Sequence, residues 1–116
     1  MTTEELLKLI TDTADKFQAI DLKVLHVTET CGFADYFVIM SGRSTTHTTA
    51  IAEEIALRSK HADRQANSIE GLQAAEWCLL DFGDIVVHVF LPEKREYYDL
   101  EGLWGDAKIE SVEYQV

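Results

Sequence analysis

Residues 85–91 read Ile-Val-Val-His-Val-Phe-Leu, and strand alternation sets Ile85, Val87, Val89 and Leu91 on one face and Val86, His88 and Phe90 on the other. Neither face is polar. Such a strand is either central and covered on both sides, or covered by helices on one side and by a partner on the other. The chain offers only two long helices. If both pack on one side of the sheet, the Val86, His88, Phe90 side has only the short segment 93–104 as cover. An incompletely covered apolar face is a candidate interaction surface. Accessibilities near zero on both sides of this strand would remove that motive.

The rest of the chain supplies the partners of this strand. Leu6, Ile10, Ala14 and Phe17 recur at spacings of three and four, and Thr2 with Glu5 fits a capping box, so a helix is expected over 3–19. Strands are expected over 22–27 and 36–40. The run Ser41-Gly42-Arg43-Ser44 breaks the second of these, and Ser44 can cap a helix over 45–62. That helix carries a narrow stripe of Thr48, Ile51, Ala52, Ile55, Ala56 and Ser59, suited to close packing on a sheet. After an extended piece at 67–69, strands over 76–80 and 84–91 flank Phe82-Gly83, which gives a hairpin turn its backbone freedom. No repeat or linker interrupts the 116 residues, and the only proline is Pro92. The expected fold is a single α/β (α+β) domain, a mixed sheet of about five strands packed with two long helices.

Charge narrows the partners. The formal net charge is −11, with 10 Lys and Arg against 21 Asp and Glu. Residues 70–116 carry 11 acids and three bases, net −8, and residues 1–69 only −3. Nucleic-acid binding draws its affinity from basic groups on phosphates, so direct nucleic-acid specificity is not expected. A charged partner should be basic and meet the C-terminal part. No apolar run approaches the roughly 20 residues of a membrane helix, and Glu4 and Glu5 stand where a targeting peptide would be basic; a cytoplasmic protein without membrane contact is expected. Cys31 and Cys78 lie far apart and read as reduced thiols rather than a disulfide or zinc site.

Enzyme signals are weak. Asp81-Phe82-Gly83 matches the metal-binding tripeptide of protein kinases, but the rest of that machinery is absent. The four histidines, His26, His47, His61 and His88, lack ligand spacing, and no phosphate-binding glycine motif occurs. The Ser41 to Ser44 junction is the best enzyme-like feature, since helix N-terminal amides beside an arginine can hold an anion; helix capping explains it equally well. A nucleotidyltransferase would follow a Gly-Ser loop with two carboxylates for magnesium. Residues 45–51 contain no acid. No catalytic residue, cofactor or metal is therefore assigned, and a nucleotide-binding or nucleotidyltransferase-type enzyme using Ser41 to Ser44 stands as the alternative.

Trp77, Phe90, Tyr97, Tyr98 and Trp104 place five of the eleven aromatic residues within 28 positions, among Glu76, Asp81, Asp84, Glu96, Asp99 and Glu101. Rings supply desolvated contact area and carboxylates pair with Lys or Arg around it, as in a docking surface for a basic protein. Core packing is the competing account. Phe90 is expected in the core, and Trp77 and Tyr98 toward the surface.

The stretches Asp35-Tyr36-Phe37-Val38-Ile39-Met40-Ser41-Gly42-Arg43-Ser44, Glu76-Trp77, Leu80-Asp81-Phe82-Gly83-Asp84-Ile85-Val86-Val87-His88-Val89-Phe90 and Arg95-Glu96-Tyr97-Tyr98-Asp99-Leu100-Glu101-Gly102-Leu103-Trp104 resemble the ribosomal silencing factor (Iojap) family. The likeness covers about residues 3–106, which defines a domain over 1–106 and a C-terminal extension over 107–116. In that extension Val112, Tyr114 and Val116 alternate against charge, as an added strand or a frayed tail would.

The resemblance implies a nucleotidyltransferase-like fold without the chemistry. It further implies a translational repressor that binds the large ribosomal subunit through its fourteenth protein. There it blocks joining of the small subunit when nutrients are short. On matching positions the partner surface would involve Trp77, Leu79, His88 and Tyr98, with Asp81, Asp84 and Glu96 as charged neighbours. A homodimer of the free chain through the uncovered sheet face is a further expectation.

Overall fold

The computed structural model describes residues 1–105 and 107–112, except the side chains of Thr30 and Cys31. Helix α1 (Thr3–Lys16) begins at the expected capping box: the Thr2 hydroxyl accepts from the Glu5 amide, and the Glu5 carboxylate accepts from the Thr2 amide. It stops three residues earlier than the periodicity predicts. Phe17 caps it, and Gln18 turns to φ +60°, outside the helical region. Leu6, Ile10 and Ala14 are fully buried.

Strand β1 (Ile20–His26) leads through the one-turn α2 (Thr28–Cys31) to β2 (Tyr36–Ser41). Helix α3 (Thr45–His61) follows, with Ser44 accepting from the His47 amide at its start. Its small-residue stripe lies against the sheet: Thr48, Ile51, Ala52, Ile55 and Ser59 are buried. The next strands are β3 (Ser68–Glu70), β4 (Trp77–Asp81) and β5 (Ile85–Phe90). The Thr48 hydroxyl donates to the carbonyl of Ala75 at 2.6 Å, fixing α3 to the β3–β4 loop. The short helices α4 (Pro92–Tyr98) and α5 (Leu100–Leu103) and the strand β6 (Lys108–Ser111) complete the fold.

The strands form one mixed six-stranded sheet in the order β3-β4-β5-β2-β1-β6. Only β2 and β5 are parallel, and all other neighbours are antiparallel. The expectation of about five strands is exceeded because residues of the C-terminal extension pair with β1 as an added edge strand, Leu25 opposite Ile109. Tyr114 and Val116 lie outside the described residues.

Both long helices cover the same face, where Leu6, Ile10, Ile51 and Ile55 meet Val38, Met40, Leu80, Ile85, Val87 and Val89. The opposite face gathers Leu25, Phe37, Ile39, Val86 and Phe90 beneath Leu100, with Trp77, Leu79 and Trp104 packed at its margin. Here the sequence reading needs correction. Val86, His88 and Phe90 are 7%, 4% and 0% exposed, so β5 is covered on both sides within the single chain. The cover comes from α5 and from neighbouring rings rather than from a third long helix. The open part of this face lies one strand further out, on β4, where Trp77 and Leu79 are only half-buried.

Candidate docking surface

Strand alternation places Trp77, Leu79 and Asp81 of β4 on the face away from the long helices. Register then sets their neighbours: Trp77 lies opposite Phe90, Leu79 opposite His88, and Asp81 opposite Val86. The Trp77 ring stacks on Phe90 with centroids 4.9 Å apart and leans on Tyr98 at 4.7 Å. Its indole N–H donates to Nδ1 of His88 at 3.1 Å. On the other side Phe37 meets His88 edge-on at 5.3 Å and Trp104 at 5.4 Å. Aromatic pairs in such tilted and edge geometries contribute about 1 kcal/mol each beyond the area they bury.

Tyr98 remains 45% exposed at the end of α4, and Leu103 of α5 is 71% exposed. Tyr98, with the half-buried Trp77, Leu79 and Trp104, leaves an apolar strip at the surface. Phe90 is in the core and Trp77 and Tyr98 lie toward the surface, as expected from the sequence.

His88 is the electrostatic centre of the cluster. Because Nδ1 accepts from Trp77, the neutral ring carries its proton on Nε2, and that nitrogen is buried with no hydrogen-bond partner among the described residues. Burial disfavours the charged imidazolium and pushes the pKa down to about 4. The ring is therefore uncharged at neutral pH.

The acidic residues expected around this strip are dispersed. Asp81 sits at the end of the strip, where its carboxylate accepts from the Gly83 amide at 2.8 Å and shapes the hairpin turn. Asp84 faces the start of α1, bound by the Arg64 guanidinium and by the Thr3 hydroxyl. Partial burial works against its charge, but the Arg64 and Thr3 hydrogen bonds prevail and hold the carboxyl below its ordinary pKa. Glu96 lines a separate cleft of about 480 Å³ with Asp21, Lys23, Asp99 and Glu101. The cleft's buried Arg95 donates to Glu101 at 2.6 and 2.9 Å and to the Ser41 hydroxyl at 3.1 Å. Trp77, Leu79, His88 and Tyr98 are thus brought together with Asp81, whereas Asp84 and Glu96 are not.

Sequence reasoning missed two members of the surface. Phe37 completes the ring cluster beside Trp104, which the aromatic constellation includes, and Glu70 lies opposite Leu79 on β3, extending the face sideways. The alternation of residues 36–40 signals Phe37, but the β3–β4 register needed to find Glu70 has no local signature.

The enzyme-like junction is occupied by structural duties. The Ser41 hydroxyl accepts from Arg95, Ser44 caps α3, and the Arg43 amide donates to Nδ1 of His47 at 2.9 Å. No group of three or more His, Cys, Asp or Glu side chains placed to hold a metal occurs among the described residues. The Cys78 thiol is free and buried, with its pKa raised by burial and by Glu53. No described helix is long and apolar enough to cross a membrane.

Fold and site define a small α+β protein with an apolar strip exposed on one face of its sheet. The family model described as ribosomal silencing factor during starvation matches residues 1–115. The chain belongs to that family. It is 48% identical over 102 residues to the ribosomal silencing factor of Zymomonas mobilis, covering 88% of this chain and 77% of the relative. Its identity to the Bacillus subtilis ribosomal silencing factor is 38% over 114 residues, covering 98% and 97%. A crystal structure of a Chromobacterium violaceum protein superposes with a TM-score of 0.88 at 30% identity, over 100% of this chain and 94% of that one. Iojap proteins of maize and Arabidopsis chloroplasts also match, at 34% and 36% identity.

Proposed function

We propose that this chain represses translation by binding the large ribosomal subunit through its fourteenth protein, on the face where the small subunit docks. Occupation of that face blocks subunit joining when nutrients are short, and no catalysis is involved. The observation that carries the reading is the apolar strip of Trp77, Leu79 and Tyr98 left open on the sheet face away from the long helices, in a chain of net charge −11. A strip of this kind needs a protein surface against it, and the charge favours a basic one while disfavouring RNA. Salt screens beyond roughly 8 Å at physiological strength, so the nearby Asp81 and Glu70 matter more than the total.

The setting is the bacterial cytoplasm, where ribosomal proteins present basic surfaces on an RNA-rich particle. The free chain pairs with itself through the same strip, in competition with the ribosome. Molecular mass measured with and without the ribosomal protein tests that competition.

The central experiment is co-sedimentation with purified large subunits, followed by a subunit-joining assay. Trp77→Ala is expected to weaken binding by about 2 kcal/mol, the cost typical of a central aromatic anchor. Unchanged affinity in a folded variant would remove Trp77 from the interface, and normal subunit joining in the presence of saturating protein would refute the mechanism.

A further inference from the structure

The β3 edge of the sheet adjoins the open strip and has two dissimilar sides. No strand pairs with the outer side of β3 among the described residues, and Ser68, Ile69 and Glu70 are all exposed. An edge of this kind presents unpaired backbone N–H and C=O groups to any extended chain that approaches it. Alternation fixes what such a chain would meet. Ile69 lies opposite Leu80, on the long-helix side, while Glu70 lies opposite Leu79, on the docking side.

On the long-helix side a groove of about 260 Å³ runs between α3 and β3, its lining mostly apolar (Ala52, Ala56, Leu57, Ala66, Ile69 and Leu72) but including Glu53, Lys60 and Gln65. Leu57 and Ile69 are 47% and 40% exposed there. On the docking side the edge carries Glu70, with Leu79 and Asp81 on the neighbouring strand. One face of the edge is therefore mostly apolar and concave, and the other is acidic and continuous with the strip of Trp77 and Leu79.

We infer that a basic extended segment of the docking partner adds to β3 as a seventh strand. Its side chains alternate between apolar residues, which fill the α3–β3 groove, and Lys or Arg, which face Glu70 and Asp81. Strand addition supplies affinity through the main chain and specificity through alternate side chains. A second copy of this chain, even where it pairs through the strip, is the poorer occupant of the β3 edge, because its own β3 carries Glu70 and no Lys or Arg to set against Glu70 and Asp81. The inference rests on the docking reading above and adds to it the conformation and chemistry of the partner segment.

Hydrogen exchange on the chain bound to purified large subunits tests it, together with Ala56→Leu, which fills the groove, and Glu70→Lys, which reverses the charge. The outward amides of residues 68–70 are expected to exchange at least tenfold more slowly in the complex. Each variant is expected to lose at least fivefold in affinity with an unchanged melting temperature. If Trp77→Ala abolishes binding while the 68–70 amides exchange at the free rate and Ala56→Leu binds normally, strand addition is wrong and docking stands. If Trp77→Ala also binds normally, the docking reading itself fails and the inference falls with it. Protection of 68–70 that grows with concentration of the free chain alone would make the occupant a second copy and overturn the assignment. Should Ala56→Leu not fold, exchange on the parent chain decides the question.

Discussion

The indole N–H of Trp77 donates to Nδ1 of His88 at 3.1 Å across the β4–β5 pair, so a half-buried surface ring is tethered to a fully enclosed one. The bond fixes the indole orientation and assigns the His88 proton to Nε2. In Trp77→Phe the stack on Phe90 is retained and the donor is lost. A cost of about 1 kcal/mol is expected from leaving a buried acceptor unpaired. Nitrogen chemical shifts of the His88 ring, measured by NMR, should show a single Nε2–H tautomer in the parent and mixed tautomers in the variant. A mixed ring in the parent would contradict the tether.

Acid should weaken the fold through the same residue. The folded pKa of His88, about 4, lies below the ordinary value of 6.5, so the unfolded chain takes up the proton first as pH falls. The neutral ring's full contribution holds above pH 6.5 and is lost progressively down to about pH 4. The loss is about 3 kcal/mol for this one group. Asp84 acts in the same direction at lower pH: its pKa is depressed when folded, so its contribution is present above the ordinary carboxylate value and lost as pH falls through the folded one. Denaturant melts of the parent and His88→Phe should therefore diverge in slope between pH 6.5 and 4, and parallel slopes would remove His88 as the cause.

How much of this was legible in the sequence depends on the range over which each signal acts. The capping box at Thr2 and Glu5, the stripe on α3 and the Ser44 cap are local, and each is found where the residues place it. The cover of β5 was misread because it comes from α5, only four residues long, and from rings of neighbouring strands, neither of which leaves a periodic trace. The sheet's sixth strand was undecided for a related reason: Lys108 to Ser111 are all exposed, so no buried face patterns them. Asp84 looked like part of an acidic rim, yet its partner Arg64 lies twenty residues earlier. Only the folded loops bring them together.

The buried pair of Arg95 with Glu101 ties α4 and α5 to the ends of β1 and β2, where the guanidinium also reaches the carbonyl of Ile20. Breaking a buried pair strands a charge and costs about 3–5 kcal/mol, reduced here because Glu101 keeps 20% of its side chain in solvent. Glu101→Ala is expected to lose about 2 kcal/mol and to speed proteolysis within 92–104. A melt matching the parent would show that Arg95 holds α4 through Ser41, Ile20 and Asp21 without needing Glu101.

Glycine substitutions should separate backbone strain from crowding. Gly32 and Gly71 both adopt left-handed conformations, φ +82° and +85°. A Cβ at Gly32 meets nothing within 4 Å, whereas one at Gly71 would collide with the carbonyl oxygen of Trp77. Ala at Gly32 is expected to cost about 1 kcal/mol, the usual penalty of a left-handed non-glycine residue. Ala at Gly71 should cost more and, by displacing β4 beside Trp77, should also weaken large-subunit binding. Equal stability losses in the two variants, read by thermal melts, would mean that conformation alone sets the requirement for glycine at 71.

The Ser41 to Ser44 junction allows a direct test of the enzyme alternative. An anion there would have to be held by Arg43 and the first amides of α3, in competition with bonds already made. The Arg43 amide donates to His47, the His47 amide to the Ser44 hydroxyl, and the Ser41 hydroxyl is turned toward Arg95. Gly42 adds a steric constraint, since a Cβ on it would lie 2.7 Å from the Thr48 methyl, so the loop is packed tightly onto α3. Opening it for a triphosphate would break the cap and this packing together, and residues 45–51 supply no carboxylate for magnesium. Titration calorimetry with ATP and magnesium is expected to give only heats of dilution. Saturable binding that Arg43→Ala abolishes would instead establish a nucleotide site at this junction.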